Sequence, residues 1–236
     1  MNKGKLFLLP TPISKDQNVT DILLPMYLNS IRSIEYFVVE TPKIARSFLK
    51  DLPFEKKIQD LHIESLDEHM QKEEIKELIT PLLSGNDMAL LSDAGIPTVA
   101  DPGYKLVSLA QKEGVKIVPL IGPSSILLAL MASGLNGQSF AFHGYLPKEK
   151  GLKRKRIKSL EKVAKNTEQT QIFMETPYKN QHMLEDVLEV CEETSILCIA
   201  QNIMSSNEYI ITKSIGEWRN ESILLDKTPC LFLINT

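Results

Sequence analysis

The chain alternates short apolar segments with helical patterns, and this alternation constrains its fold more than any other feature. Apolar stripes with i, i+3, i+4 and i+7 spacing, such as Leu24 to Ile31 and Ile75 to Leu82, predict amphipathic helices between the early segments. Strands that alternate with helices are typical of an α/β protein with a largely parallel sheet. The segments that we interpret as buried strands are residues 5–9, 36–39, 88–92, 116–120, 139–143, 171–174, 196–200, 208–213 and 230–234.

The C-terminal part of the chain has a different spacing. Only seven residues separate segments 196–200 and 208–213, which is too few for a crossover helix. These two strands are therefore predicted to pair antiparallel, in a second sheet of mixed type. Gly134, Asn136 and Gly137 cluster just before segment 139–143, so we expect two α/β domains, residues 1–135 and residues 136–236.

Composition argues against a membrane protein. The longest apolar run, residues 126–132, has seven residues, whereas a membrane-spanning helix needs about 20. The apolar stretch near the start is broken by Pro10 and is too short for a signal peptide. We therefore expect a cytoplasmic location. The net charge of −3 does not mark the whole chain as a nucleic-acid binder.

Neither the cysteines nor the histidines form a metal-binding pattern. Cys191, Cys198 and Cys230 show no C-x-x-C spacing and lie in apolar surroundings, which predicts buried, reduced thiols. His62 and His69 are not arranged as H-E-x-x-H, so we expect no metal site. Glycine-rich dinucleotide and P-loop fingerprints do not occur in the sequence either.

Three loops after predicted strands are candidates for chemistry, because ligands of parallel sheets bind at the carboxyl ends of the strands. Residues 90–104 hold two Asp, two Gly and two Pro, and Asp101 with Pro102 is typical of a helix N-cap and first helical residue. Ser124 and Ser125 open an apolar helix, either as caps or as part of a site for an acceptor-bearing ligand. Glu175 ends an apolar strand, either as a solvated group or as a proton acceptor.

Residues 148–158 form a strongly basic run. They contain seven basic residues and one acidic residue, a net +6, so the rest of the chain, given −3 overall, carries −9. The run is either a solvated helix face or a patch for phosphates or a polycarboxylate. In the second interpretation Lys148, Lys153, Arg154 and Arg156 bind the substrate.

Taken together, residues 92–104, 118–125, 129–135, 140–147 and 172–177 resemble the tetrapyrrole-methylase superfamily of S-adenosylmethionine-dependent methyltransferases. Within it, the chain looks most like the branch that methylates a ribose 2′-hydroxyl of small-subunit ribosomal RNA. The resemblance implies two α/β domains with the active site in the cleft between them, usually in a homodimer. In two places the chain departs from that branch, since residues 40–43 read Glu-Thr-Pro-Lys instead of Glu-Asp-Thr-Arg and residues 200–205 lack charges that the branch carries.

The resemblance also implies S-adenosylmethionine as the cofactor, held mainly by backbone and small side chains. Deprotonation of a ribose hydroxyl needs a proton acceptor. Glu40, Asp93, Asp101 and Glu175 are candidates, of which Asp93 and Glu175 are preferred. The residues that match the cofactor positions are Leu9, Pro10, Ala94, Gly95, Ile96, Val99, Ser124, Ser125, Phe173, Met174, Ala200, Thr228 and Pro229.

Three functions follow as alternatives. The first is methylation of a ribose in structured RNA. The second is methylation of a tetrapyrrole or another small molecule, which the basic run would serve equally well because both acceptors are anionic. The third is a cofactor-binding module that performs no turnover.

Overall fold

The computed structural model describes residues 2–236. Contacts between Cα atoms divide the chain into two units, Met1–Ser124 and Ser125–Thr236, each with one five-stranded sheet. This division falls earlier than the boundary expected after residue 135. The reason is that the first helix beyond Ser124 packs on strands of the second unit, where the Thr212 hydroxyl donates to the carbonyl of Ser133 at 2.7 Å.

The first unit contains a sheet whose strands all run parallel, in the order β3-β2-β4-β1-β5. This confirms the predicted parallel sheet. The strands are β1 (Lys5–Leu8), β2 (Tyr36–Val39), β3 (His62–Ser65), β4 (Met88–Leu91) and β5 (Lys116–Pro119). The helices are α1 (Val19–Ile22), α2 (Pro25–Ile31), α3 (Pro42–Leu49), α4 (Lys72–Leu78), α5 (Thr80–Leu83) and α6 (Tyr104–Lys112).

Both faces of the first sheet are covered by helices, which explains why its inner strands β1, β2 and β4 are largely apolar. Alternate residues of a strand point to opposite faces. Phe37 and Leu91 therefore pack with α1 to α3, whereas Val38 and Leu90 pack with α4 to α6. The edge strand β3 was not predicted, because it is mostly exposed and has no apolar run. Its first residue, His62, stacks its ring on that of Tyr36, with 4.8 Å between the ring centroids.

The second unit contains a mixed sheet in the order β6-β7-β10-β8-β9. Only β6 and β7 are parallel, and the predicted antiparallel pairing of the two closely spaced strands, β8 and β9, is confirmed. The strands are β6 (Phe140–Tyr145), β7 (Thr170–Glu175), β8 (Ile196–Gln201), β9 (Tyr209–Ser214) and β10 (Cys230–Asn235). The helices are α7 (Ser125–Ser133), α8 (Lys150–Thr167), α9 (Asn180–Val190) and α10 (Ile215–Arg219).

The core of the second unit lies between α8, α9, α10 and one face of this sheet. The rings of Phe173 and Phe232 stack at 5.8 Å, and the fully buried Trp218 donates from its indole N–H to the Leu197 carbonyl at 2.9 Å. All three cysteines are buried and free, as predicted, and burial raises the pKa of each thiol. Among residues 2–236, no helix is long and apolar enough to cross a membrane.

Candidate functional site

Three loops of the first unit meet at the carboxyl edge of its sheet. The loops after β1 and β4 are joined by a pair of backbone hydrogen bonds between Thr11 and Gly95, at 3.0 and 3.1 Å. The buried Thr11 hydroxyl donates to the Ser92 carbonyl at 3.2 Å. Because these bonds involve backbone and short side chains, the loops approach each other without bulky groups between them.

Two glycines make this approach possible. A Cβ atom on Gly122 would lie 2.1 Å from the Cβ of Pro10, so any side chain there would separate the loops after β1 and β5. Gly95 has a φ of +78°, and a Cβ there would lie 3.0 Å from the carbonyl oxygen of Pro123. The loops after β1, β4 and β5 are thus held at backbone distance from one another.

Asp101 organises the loop between β4 and α6. Its carboxylate accepts from the N–H groups of Thr98 at 2.7 Å and of Gly103 at 2.6 Å. Thr98 and Ala100 both have positive φ, 73° and 63°, a conformation that costs about 1–3 kcal/mol each and that the bonds of Asp101 help to hold. The predicted helix N-cap at Asp101 is wrong, because α6 begins at Tyr104 with Gly103 as its N-cap while Asp101 closes the preceding turn.

Two more carboxylates lie at the ends of β2 and β4. Asp93 accepts from both the N–H and the hydroxyl of Thr41, at 3.0 and 2.7 Å. Its own N–H donates to Glu40 at 3.2 Å. Desolvation raises the pKa of Glu40, and the charges of Asp93 and Asp101 add to this effect, against the opposing hydrogen bond from Asp93. Desolvation likewise raises the pKa of Asp101.

These contacts distinguish the candidate proton acceptors of the first unit. Both oxygens of Asp93 are occupied by Thr41, whereas Oε1 of Glu40 has no hydrogen-bond partner among residues 2–236. Thr41 was missed by the sequence analysis, and its position directly after a strand-end carboxylate is the signal that could have found it.

The cofactor positions predicted in the first unit differ in what they offer a ligand. The side chain of Leu9 is fully buried in the core, and Pro10 and Ser124 are also buried. Ala94 and Val99 are exposed, and Ile96 is half-buried. In the part of the chain that the structure describes, the N–H groups of Ala94 and Ile96 have no intramolecular acceptor.

In the second unit, strand register brings the ends of three strands to one edge. Cys230 is paired with Glu175 on one side and with Gln201 on the other. The predicted positions Met174, Ala200, Thr228 and Pro229 thus lie at the same edge of the sheet. Ser125 is the first residue of α7. The side chains of Phe173 and Ala200 are buried in the sheet, whereas Met174 is half-buried and offers part of its side chain at this edge.

Two buried side-chain amides hold the segment that precedes β10. Asn180 donates to the carbonyls of Asp226 and Thr228, at 3.1 and 2.7 Å. Gln201 donates to the Asp226 carbonyl at 2.7 Å and accepts from the Asp226 N–H at 3.2 Å. Sequence analysis missed both amides, although a polar residue at the end of an apolar strand is a usable signal for Gln201.

Two polar atoms at this edge have no partner. Among residues 2–236, the buried Oδ1 of Asn180 and the buried hydroxyl of Thr228 make no hydrogen bond. Such a group costs about 1–3 kcal/mol when it is buried and unsatisfied. The edge therefore carries one acceptor and one hydroxyl that a polar ligand can satisfy. Glu175, at the same edge, accepts from the Thr176 N–H at 2.7 Å.

The basic run forms the first turns of α8, capped by Glu149, and its charges fall into two groups. Lys153 is buried and binds Asp186 at 2.8 Å, and Arg154 binds both Asp186, at 2.7 Å, and Glu189. These two cations brace α8 against α9. Arg156 contacts His143 at 3.2 Å, and Lys148 and Lys155 are exposed, with no ion-pair partner among the described residues.

Comparison with known proteins identifies the family. The family model for tetrapyrrole (corrin/porphyrin) methylases matches residues 28–218. The chain belongs to the tetrapyrrole methylase family. It is therefore a methyltransferase, and the predicted family and enzyme class are confirmed.

Individual relatives agree with this assignment. Ribosomal RNA small subunit methyltransferase I of Vibrio cholerae is 33% identical over 90% of this chain and 69% of the relative. The protein of the same name from Halalkalibacterium halodurans is 31% identical over 94% of this chain and 73% of the relative. The crystal structure of the methyltransferase CobJ matches 99% of this chain and 94% of its own with a TM-score of 0.63 and 17% identity, which shows a shared fold. The resemblance to the ribosomal branch is thereby confirmed.

The α8–α9 brace gives a prediction about stability. Burial of the Asp186 carboxylate tends to raise its pKa, but hydrogen bonds from Lys153 and Arg154 outweigh this effect and lower the pKa. The ionised carboxylate therefore stabilises the methyltransferase above the ordinary Asp pKa of about 3.9, and this contribution is lost as the pH falls through the lowered folded value. Asp186→Asn should lower the free energy of unfolding by about 3 kcal/mol at pH 7, because it leaves the buried Lys153 cation without a counter-charge.

Urea unfolding followed by Trp218 fluorescence, at pH 7 and again near pH 3.5, measures this difference. The difference in free energy of unfolding between the wild type and Asp186→Asn should be smaller at the lower pH. Glu189→Gln is the matched control, since Glu189 is exposed and its ion pair is worth less than about 1 kcal/mol. An Asp186→Asn variant as stable as the control at pH 7 would refute the brace.

Proposed function

We propose that this enzyme transfers a methyl group from S-adenosylmethionine to a ribose 2′-hydroxyl of small-subunit ribosomal RNA. One observation supports this choice of acceptor. Over about nine-tenths of the chain, about a third of the residues are identical to those of proteins named for that ribosomal substrate. The exposed cations of α8 support an anionic acceptor. A tetrapyrrole acceptor, which the description of the family suggests, is the competing proposal.

The residues present fit S-adenosylmethionine as the donor. The loops after β1, β4 and β5 are closely packed at the carboxyl edge of the first sheet, and the N–H groups of Ala94 and Ile96 are available to an acceptor. At the edge of the second sheet, the unsatisfied Oδ1 of Asn180 and the hydroxyl of Thr228 offer an acceptor and a donor. Each set is a proposed contact, and the second is tested below at Thr228. When bound, the donor supplies a methyl group that a sulfonium already activates.

The main task left to the protein is to orient the groups and to accept a proton. Orientation with reacting atoms about 3–3.5 Å apart accounts for much of the rate of such displacements. We propose Glu40 as the proton acceptor, with Asp93 as a positioning residue that fixes Thr41 and, through its N–H, the Glu40 carboxylate. Glu175 remains the alternative acceptor.

Of the basic residues predicted to bind substrate, we retain Lys148 and Arg156 and add Lys155, all exposed. Lys153 and Arg154 serve the brace between α8 and α9 instead.

A ribosomal substrate would place the enzyme in the cytoplasm. We also propose the homodimer that the family implies, because Met131 on the apolar helix α7 is 78% exposed and a second copy would cover it; sedimentation velocity decides this.

The donor contact is tested at Thr228. Thr228→Val removes a buried hydroxyl that has no partner in the protein, so folding stability should be unchanged or slightly higher. Affinity for S-adenosylmethionine, measured by calorimetry, should fall about 5- to 30-fold, the effect of one lost hydrogen bond of roughly 1–2 kcal/mol. Thr167→Val, at an exposed site at the end of α8, is the control and should leave affinity unchanged. Equal affinity of both variants would remove Thr228 from the contact set.

The acceptor is tested by transfer from labelled S-adenosylmethionine to small ribosomal subunits, naked ribosomal RNA and a tetrapyrrole precursor in parallel. We expect label in RNA that survives nuclease digestion as a 2′-O-methyl nucleoside. The triple variant Lys148→Gln, Lys155→Gln, Arg156→Gln should have a higher KM for RNA and an unchanged affinity for the donor. As the salt concentration rises, RNA affinity should fall more steeply for the wild type than for the variant. Label only on the tetrapyrrole would overturn the proposal in favour of its competitor, and label on neither would overturn both.

The proton acceptor is tested by the pH dependence of kcat/KM. An acceptor must be ionised, so activity should fall as the pH drops through the raised pKa of Glu40, above the ordinary Glu value of about 4.3. Glu40→Gln should lower kcat by about 100-fold or more and abolish this acid limb. If Glu175→Gln abolished the acid limb of the pH profile and Glu40→Gln left it unchanged, Glu175 would be the proton acceptor instead.

A further inference from the structure

A groove of about 350 Å³ lies between α4 and α6 of the first unit. Its floor is apolar and includes Met70, Ile75 and Leu109. The volume is at the lower end of the range for small-ligand sites, about 300–1,000 Å³.

The groove starts at the carboxyl edge of the sheet. Met70 lies in the loop that follows β3, and Tyr104 is the first residue of α6, just after the loop that follows β4. In parallel sheets this is the edge at which ligands bind. A chain held in the groove would therefore lead towards the same edge as the Glu40–Asp93 cluster.

Three lysines line the groove, and no carboxylate does. The lysines are Lys72 at the start of α4, and Lys105 and Lys112 at the two ends of α6. The unit up to Ser124 contains 14 basic and 17 acidic residues, a net −3, so the cluster is not a consequence of a generally basic surface. Within residues 2–236, the ammonium groups of Lys72 and Lys112 have no ion-pair partner; that of Lys105 donates to the carbonyl of Glu68.

An exposed aromatic ring adds a surface for stacking. Tyr104 is 58% exposed and lines the groove instead of packing in the core. Aromatic side chains beside lysines are typical of grooves for single-stranded nucleic acid, in which bases stack on rings and phosphates contact cations.

We propose that this groove binds a single-stranded segment of the RNA substrate, with a base on Tyr104 and phosphates on the three lysines. The inference rests on the proposed function. Lys105 and Lys112 are two helical turns apart, about 10 Å along α6. A polynucleotide, with a phosphate at each nucleotide, can contact both lysines at this spacing with their side chains extended.

The first test measures binding of a fluorescein-labelled 12-nucleotide single-stranded RNA by fluorescence anisotropy at several salt concentrations. The triple variant Lys72→Gln, Lys105→Gln, Lys112→Gln should bind at least tenfold more weakly. Its plot of log affinity against log salt should be shallower by about 2, since each phosphate contact on a single strand contributes about 0.7. Tyr104→Leu keeps an apolar side chain without the ring and should weaken binding about fivefold or more.

The matched control is Lys50→Gln, Lys57→Gln, Lys116→Gln. It removes the same charge from exposed sites at the end of α3, before β3 and at the start of β5, which belong to the amino edge of the sheet. The double variant Lys72→Gln, Lys112→Gln keeps the hydrogen bond from Lys105 to Glu68 and repeats the test in case its loss destabilises the triple variant. Thermal unfolding measures the stability of each variant. Equal losses in the groove and control variants, or an unchanged salt slope in the groove variant, would overturn the assignment.

Methyl transfer separates this inference from the proposed function. If the wild type methylates RNA, the groove variant should show a KM for RNA raised at least tenfold, with kcat and donor affinity unchanged. An unchanged KM would overturn the groove alone. No RNA methylation and no oligonucleotide binding by the wild type would overturn both. Groove-dependent binding of phosphatidylglycerol vesicles without groove-dependent RNA binding would replace the assigned ligand by a lipid surface.

Discussion

The close approach of three loops at the carboxyl edge of the first sheet is the constraint on which the candidate site depends. Gly122 lies directly against Pro10, and Gly95 pairs with Thr11, so the loops after β1, β4 and β5 form one closely packed surface. A surface built in this way presents backbone N–H groups instead of long side chains. It suits a ligand recognised by shape and a few hydrogen bonds, in contrast to a glycine-rich phosphate loop, and it lies at the edge where parallel sheets usually bind ligands.

Strand positions and sheet type were predictable because burial on both faces leaves a continuous apolar run that is visible in the sequence. The same physics explains what was missed. Strand β3 is an edge strand with exposed residues, so it has no such run, and Asp101 satisfies the N–H groups of a loop whose positive φ angles are invisible in the sequence. The family motifs located the loops, but the orphaned atoms of Asn180 and Thr228 depend on packing between distant segments.

The basic run shows why charge patterns predict a surface better than they predict its residues. Seven cations in eleven positions correctly indicate a charged helix face. Helical geometry then turns Lys153 inward, where it binds Asp186, 33 positions further along the chain, while Lys148 and Lys155 stay in solvent. No local pattern distinguishes these roles, because the deciding partner belongs to another helix. The buried pair also shows that a lysine in a basic run can be a structural residue.

The departure at residues 40–43 changes the electrostatics of the carboxylate cluster in a definite direction. The ribosomal branch usually has an aspartate directly after the glutamate, whereas here Thr41 takes that position and donates to Asp93. A second aspartate there would face Asp93 with like charge, so threonine removes one negative charge and supplies one donor. Desolvation still raises the pKa of Glu40, and the charges of Asp93 and Asp101 add to this effect. The substitution thus leaves Glu40, the proposed proton acceptor, with a pKa above its ordinary value, while Asp93 is held by hydrogen bonds from an uncharged residue.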